Sequence, residues 1–476
     1  YLSEAVGCYG VYAAASGRSG SAESMSVNMS AAQIFIGQNS TDSGTSSYYA
    51  VNGAGVYMDA GSLSANNAKV ELGNVLIITA GNSVSGVYAK SGIITQESSK
   101  KLVVVTGANC TEYENGKTKF QNIESYNINT DLVDAGRVSV AGTAYGYGVY
   151  SGGGSVTLGS VYAAVYGHYS SGLLVNAIGA DMTSDAGVTV NGSIALRVDG
   201  GVLSNENGTT NYASASGIST ESGTISLNGN ADMIVDNGLG ITSRNGSVYL
   251  YGSNVNINTT HSSAIYVDNG SLIIGTEGSA SETNIVSKIE DNYKWVSPPS
   301  TTSTDESSLT HQYDGVYVRG GSLTANGTFN VKHEGLANVE YENVYPVNSS
   351  SVYTIKSFAV RVESTTNSNN EDVVTIKSGT ITNSVGGGVS VSGGTLNLGV
   401  EGEANGSLSV KTTGTDVGNE KNNSGQFYGN WQFQANLKGG SAVEVTGGNL
   451  NVYCGTFTAA QGDGIFVKGG NAVING

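Results

Sequence analysis

The stretch D-G-V-Y-V-R-G-G-S-L-T-A-N, Asp314 to Asn326, recurs along the chain in altered spelling. It returns as G-V-Y-M-D-A-G-S-L-S from Gly55, A-I-Y-V-D-N-G-S-L-I from Ala264 and G-I-F-V-K-G-G-N-A-V from Gly464. As a ten-position template it reads small, aliphatic, variable, aliphatic, variable, turn, Gly, Ser/Thr, aliphatic, variable. Full or partial copies start at Gly10, Gly55, Gly86, Gly148, Gly172, Ala195, Gly217, Gly240, Ala264, Gly315, Ala359, Gly388, Ala442 and Gly464. From Gly148 to Ala264 the steps are 24, 23, 22, 23 and 24 residues, and a step of 22 recurs from Ala442 to Gly464. A fixed period of this length admits few folds, because one unit cannot bury its own apolar face and must stack on its neighbours.

Within a copy the apolar residues alternate, Val316 in, Tyr317 out, Val318 in, as a half-buried strand requires. Gly-Gly or Asn-Gly pairs at 200–201, 245–246, 269–270, 320–321, 393–394, 447–448 and 469–470 then turn the chain, since these residues tolerate positive φ. A second short apolar pair follows, and no window of comparable length carries helical periodicity. The expectation is an all-β fold, a right-handed parallel β-helix (β-solenoid) with about 22–24 residues per coil and several loop insertions. Coils stack at about 4.8 Å, so 14 to 18 of them would make a rod of about 65–85 Å. A β-propeller needs about 40 residues per blade, which this period does not supply.

The G-[VI]-Y-V-x-G-G-S-L pattern resembles the pectin-lyase-like right-handed β-helix superfamily, especially surface adhesins and autotransporter-type passengers, and also secreted carbohydrate-binding β-helices. The resemblance covers most of the chain. It implies coils, and a function does not follow from a fold.

Composition agrees with a solenoid and narrows its surroundings. Glycine supplies 69 of 476 residues, about twice the usual share of roughly 7%, but with only 3 prolines collagen and Pro-rich disorder are excluded. Charged residues are 12% of the chain, against about 25% in an ordinary domain, so the surface is built from Ser, Thr, Asn and Gly. That exterior fits an extracellular protein at the cell surface. A net charge of −17 argues against a nucleic-acid partner, which needs a basic stripe. Three cysteines, Cys8, Cys110 and Cys454, define neither a zinc site nor a disulfide framework. The most apolar runs, Val75–Thr79 and Leu102–Val105, are too short to span a bilayer.

The chain reads as one continuous solenoid over 1–476, most regular over 148–275. Five insertions leave the array, near 96–130, 277–312, 332–357, 363–373 and 411–438, and they hold all the prolines and both tryptophans. Loops on a rigid scaffold are where binding resides. The stretch Q-F-Y-G-N-W-Q-F offers Phe427, Tyr428, Trp431 and Phe433, and D-N-Y-K-W-V-S-P-P offers Tyr293 and Trp295. Such rings can stack on sugars, or pin an insertion to the scaffold.

Two outward rows follow from the template. The third position carries Tyr12, Tyr57, Tyr88, Tyr150, Tyr266 and Tyr317, interrupted by Arg197, Ser219 and Thr242. The fifth carries Asp59, Lys90, Asp199, Glu221, Arg244, Asp268, Arg319 and Lys468. Stacking would set Asp199 over Glu221, a like-charge pair able to recruit Ca²⁺. Two carboxylates alone make a weak site, and a solvated ladder is the simpler reading. No other cofactor is implied. Glycoside hydrolysis needs grouped carboxylates on one face, and Asp181, Asp185 and Asp199 occupy unlike template positions. His168, His261, His311 and His333 stand in unrelated contexts, and no G-x-S-x-G element is present. The N-x-[ST] triplets, such as those at Asn109, Asn191, Asn258 and Asn326, arise by chance in a chain this rich in Asn, Ser and Thr, N-G-S at corners is turn chemistry, and glycosylation is not inferred.

The leading expectation is a non-enzymatic extracellular protein, a surface adhesin or fibre-forming subunit, contacting glycans or a neighbouring cell surface. The alternatives are a β-helix polysaccharide lyase or glycoside hydrolase, and a soluble carbohydrate-binding module. Both termini fall inside repeat-like text, so the chain is read as part of a longer protein or as a unit that associates with its copies end-to-end or laterally. In the second case a junction could bring Cys8 near Cys454.

Overall fold

The computed structural model describes residues 8–15, 24–36, 50–51, 53–107, 145–167, 169–177, 186–200, 202–204, 210–212, 215–288, 314–334, 339–340, 352–353, 357–365, 372–384, 386–403, 407–413, 440–460 and 462–475. Among these residues the one helical element is a single 3₁₀ turn, Ala65–Asn67, and the regular structure is otherwise strand. No helix among them is long and apolar enough to cross a membrane. The chain divides into two compact units. The first holds 1–201, 213–236 and 243–252, and the second holds 202–212, 237–242 and 253–476.

In the first unit the phrase strands Tyr9–Ala14, Ala54–Asp59, Val84–Ala89, Gly146–Ser151, Ser171–Val175 and Ala215–Thr220 pair successively and in parallel. Equivalent letters of the phrase are register partners: Val11 opposes Val56, Val56 opposes Val87, and Val87 opposes Val149. From Val84–Ala89 on, each phrase strand is followed by two more, and the long strands Met25–Ile36 and Ala68–Asn82 take their place in the copies before it. Ser155–Leu158 pairs with Gly187–Val190, which pairs with Thr224–Leu227, which pairs with Ser247–Leu250. Ser160–Tyr166 pairs with Ile194–Asp199, which pairs with Ala231–Asp236. These ladders are parallel too, as expected when each turn of chain returns to lie beside the last.

The second unit repeats the arrangement. Ile265–Asp268, Val316–Arg319, Phe358–Glu363, Gly387–Val391, Val443–Val445 and Ile465–Val467 pair successively in parallel. Ser271–Ile274 and Glu282–Lys288 both lie along the long strand Ser322–Glu334, which pairs in turn with Val373–Asn383. The antiparallel pairs among the described residues are two short ones, Val202–Ser204 with Thr210–Tyr212 and Val339–Glu340 with Val352–Tyr353.

The inward letters of the phrase form the core. Val56, Val87, Val149, Leu173 and Ile218 are fully buried in the first unit, as are Val267, Val316, Val318, Val360 and Val389 in the second. The leading Gly of the phrase has a steric cause. A Cβ on Gly55 would lie 2.2 Å from Ile77 Cγ2 and 2.7 Å from the Gly86 carbonyl oxygen, so the phrase strand packs against the third strand without a side chain between them. The expected corners also hold: Asn245, Asn269, Gly320, Gly394, Gly448 and Gly470 have φ between 51° and 78°. The apolar runs near Val75 and Leu102 are strands buried on both faces. Val75, Ile77, Leu102 and Val104 line the core, while Leu76, Ile78, Val103, Val105, Ala164 and Ala195 form a second apolar cluster with Tyr162 and Tyr166 against it.

Three expectations need correction. The Ala195 copy is not a phrase strand: Ala195 is the register partner of Tyr162 and Asp232, and Leu173 pairs directly with Ile218. I-A-L-R-V-D alternates as the phrase does, and alternation marks a half-buried strand without saying which strand of the coil it is. Steps of 23 and 22 are therefore one step of 45. Insertions also begin later than read, because Lys101–Gly107 and Glu282–Lys288 are ladder strands. Finally, three tyrosines read as outward are buried: Tyr57 and Tyr266 nearly so, and Tyr317 fully.

Candidate functional site

The outward face of the phrase sheet is the most elaborated surface of the described chain. In the first unit Tyr12, Tyr57, Tyr88 and Tyr150 are successive register partners. The rings of Tyr12 and Tyr57 stack with centroids 5.0 Å apart and 3° between planes, and those of Tyr88 and Tyr150 stack at 4.5 Å and 6°. Tyr57 meets Tyr88 edge-on at 5.3 Å. Tyr9 joins one end of the row, 5.0 Å from Tyr57, and Tyr147 the other, 5.3 Å from Tyr150. Aromatic pairs at these separations add about 0.5–1.5 kcal/mol each beyond area burial. Tyr57 and Tyr88 each have rings on both sides, which makes the middle of the row a poor platform for a sugar ring. Burial raises the Tyr57 and Tyr88 phenols, with Asp59 and neighbouring tyrosines adding to the shift, and pushes Tyr147 up to about 12.

The fifth-position row is a set of paired charges. Lys90 Nζ lies 2.9 Å from Asp59 Oδ2, and Arg244 Nη1 lies 3.4 Å from Glu221 Oε1. In the second unit Asp268, Arg319 and Glu363 are successive register partners of alternating sign. Asp199 is no part of this row, so its expected pairing with Glu221 falls away; it opposes Asp236 on the third-strand ladder. Among the described residues no group of three or more His, Cys, Asp or Glu is placed to hold a metal ion.

In the second unit the third-position row has a different chemistry. Tyr266 stacks on Tyr317 at 5.6 Å and 9°, and the next letter is Arg361. Arg361 Nε donates to Asp314 Oδ2 at 2.6 Å and Nη1 to Glu363 Oε1 at 3.3 Å, while the guanidinium lies 4.9 Å over the Phe358 ring. Asp314 is fully buried and also accepts the Phe358 amide at 2.7 Å. Tyr317 Oη donates to Glu363 Oε2 at 2.6 Å. Burial drives the Asp314 carboxyl upward against the pull of Arg361 and the Phe358 amide, and Asp314 in turn keeps Arg361 charged despite its burial. Each carboxylate here is engaged by donors, so the cluster acts as a clamp between strands, with its oxygens committed to holding Arg361 and Tyr317.

On the second- and third-strand ladders, asparagines do the same work. Asn284 Nδ2 donates to Asn256 Oδ1 at 3.3 Å and Asn330 Nδ2 to Asn284 Oδ1 at 3.0 Å. Asn228 Nδ2 reaches Asn191 Oδ1 at 2.9 Å just past the ends of two paired strands, whereas the N-x-[ST] asparagines Asn258 and Asn326 lie within Asn254–Thr260 and Ser322–Glu334.

A different aromatic pair stands at a corner of the first unit. Tyr145 and Tyr169 stack at 5.5 Å and 21° and are 37% and 43% exposed. Sequence reading passed over them because they precede the phrase, and the signal for Tyr169 is conformational: its φ is 56°. The clamp was equally hidden, since Arg361 occupies a position expected to hold tyrosine and Asp314 lies just before the template begins. The expected aromatic site residues, Phe427, Tyr428, Trp431, Phe433, Tyr293 and Trp295, lie outside the described residues, as does Cys110; Cys8 and Cys454 are both buried.

Compared with protein-family models, curated proteins and solved structures, the chain matches none. The parallel ladders are consistent with a β-helix or solenoid-like parallel fold.

Proposed function

We propose that the chain is a right-handed parallel β-helix of the pectin-lyase-like kind, acting without catalysis as an extracellular structural or adhesive protein. In this reading it is a surface adhesin or a fibre-forming subunit that associates with its own copies and touches glycans through aromatic side chains. The observation that supports it most is the way outward side chains satisfy one another from strand to strand. Tyrosines stack on tyrosines, Lys90 pairs with Asp59, asparagine amides donate to asparagine amides, and Arg361 is clamped between Asp314 and Glu363. A catalytic carboxylate needs an oxygen free to exchange a proton or attack substrate; these rows spend their polar atoms on rigidity. A low-charge, amide- and hydroxyl-rich exterior fits contact with uncharged surfaces.

The experiment is a reducing-sugar and unsaturated-product assay on acidic and neutral polysaccharides. No release above buffer is expected. Turnover that tracks the purified protein would replace this reading with the lyase or hydrolase one.

A further inference from the structure

Tyr169 carries a bulky aromatic side chain on a left-handed backbone, a conformation that disfavours large side chains. It stands four residues before Leu173, the first inward aliphatic of its copy. The same position before Val87, Ile241 and Ile265 holds Ser83, Asn237 and His261, with φ of 54°, 56° and 63°. This is a left-handed corner, held elsewhere by serine, asparagine and histidine, and one copy has placed an exposed phenol ring there. Such strain persists where the surroundings over-determine it, and it concentrates at sites with a task.

The surroundings do hold it. Ser170, fully buried, accepts the Gly146 amide at 2.9 Å and donates to the Tyr166 carbonyl at 3.3 Å. On the other strand the Val84 amide donates to the Tyr145 carbonyl at 3.0 Å. The two corners are thereby fixed side by side, and their rings stack. Stacking covers one face of each ring, and both residues are still more than a third exposed. The result is a rigid amphipathic surface whose ordering cost is met in the free protein.

We propose that the Tyr145–Tyr169 corner is a saccharide-binding platform for neutral sugars. An apolar C–H face of a pyranose fits against an aromatic ring, and sugar hydroxyls suit the phenol rim. A net charge of −17 disfavours uronates and nucleic acid, which leaves the neutral class. The proposal names the partner of the adhesive reading and rests on it.

The test is affinity electrophoresis and calorimetry of the intact chain with a panel of neutral polysaccharides: a β-glucan, a xylan, a mannan and a starch. At least one should bind. Tyr145→Ala and Tyr169→Asn should each weaken that binding tenfold or more. Tyr169→Asn should melt at or above the wild-type temperature, because asparagine suits the corner. Tyr251→Ala, which removes another exposed tyrosine stacked 5.7 Å from Tyr249, should bind as wild type. The proposal is overturned if no panel member binds, if binding survives in either platform variant, if Tyr251→Ala also abolishes it, or if Tyr169→Asn loses stability along with binding. Sugar release would overturn the non-enzymatic reading instead, and the two failures are separately visible.

Discussion

Asp59 gathers donors from three directions. Lys90 Nζ and Ser91 Oγ each reach it at 2.9 Å, the Gly61 amide reaches it at 2.9 Å, and Ser91 also accepts the Ala60 amide at 2.8 Å. Partial burial pushes its carboxyl up, but the hydrogen bonds from Lys90, Gly61 and Ser91 outweigh it and hold the group below its ordinary value. A depressed carboxylate contributes stability above its unfolded pKa, about 3.9, and loses it as pH falls through the folded value. Asp59→Asn should therefore cost about 1 kcal/mol at pH 7, and the gap to wild type in denaturant titrations should close below about pH 4. A gap that stayed constant with pH would remove the charge from the argument. The neighbouring rows set a second contrast. Val318→Asp places an unpaired charge in the core and should be severely destabilising. Tyr317→Ser should cost about 3–5 kcal/mol, as for a buried aromatic, because the ring stacks on Tyr266 and its hydroxyl serves Glu363. Alternation along the phrase gave the side of the sheet for Tyr317 correctly in kind. It could not give burial, which depends on Arg361 and Glu363 one strand away.

At the scale of elements, the strands Val316–Arg319 and Phe358–Glu363 are joined by a clamp as well as by their ladder. Removing one partner of a buried pair strands the other charge, so Arg361→Ala should cost about 3–5 kcal/mol. The double variant Asp314→Asn/Arg361→Met should recover at least half of that loss in equilibrium unfolding, because no buried charge is then left alone. If the double variant were as unstable as the single one, the stranded Asp314 charge would not be the dominant cost. Much of this level was legible beforehand. Strand positions, parallel stacking and the positive-φ corners follow from Gly-Gly and Asn-Gly pairs and from alternating valines, which are local signals. Two things were not legible. The third strands were one: Lys101–Gly107 carries an unbroken apolar run, while Asn254–Thr260 and Glu282–Lys288 alternate as any half-buried strand does, and neither spelling says which ladder it joins. The partner of Ala195 was misread because register with Tyr162 and Asp232, 33 and 37 residues away, is a tertiary fact. Of the candidate sites, the aromatic loops were visible as composition. The Tyr145–Tyr169 corner was not, because φ at Tyr169 is set by the corner it occupies and leaves no mark in the residue's own spelling.

At the largest scale described, that of one unit, parallel ladders predict that a strand's support comes from the strands directly beside it. In the second unit Val267 opposes Val318, which opposes Val362, which opposes Val391, which opposes Val445. A defect at one rung should then spread by neighbours and fade with distance along the ladder. Val267→Ala opens a cavity at a fully buried position and should cost about 1–3 kcal/mol. Hydrogen exchange followed by mass spectrometry should show protection falling first in Ile265–Asp268 and Val316–Arg319. Peptides covering Gly387–Val391 and Thr395–Leu398 should keep wild-type protection under the same native conditions. A compact domain that opens as one cooperative block would lose protection in all four segments together, and that result would rule out the array picture for this unit.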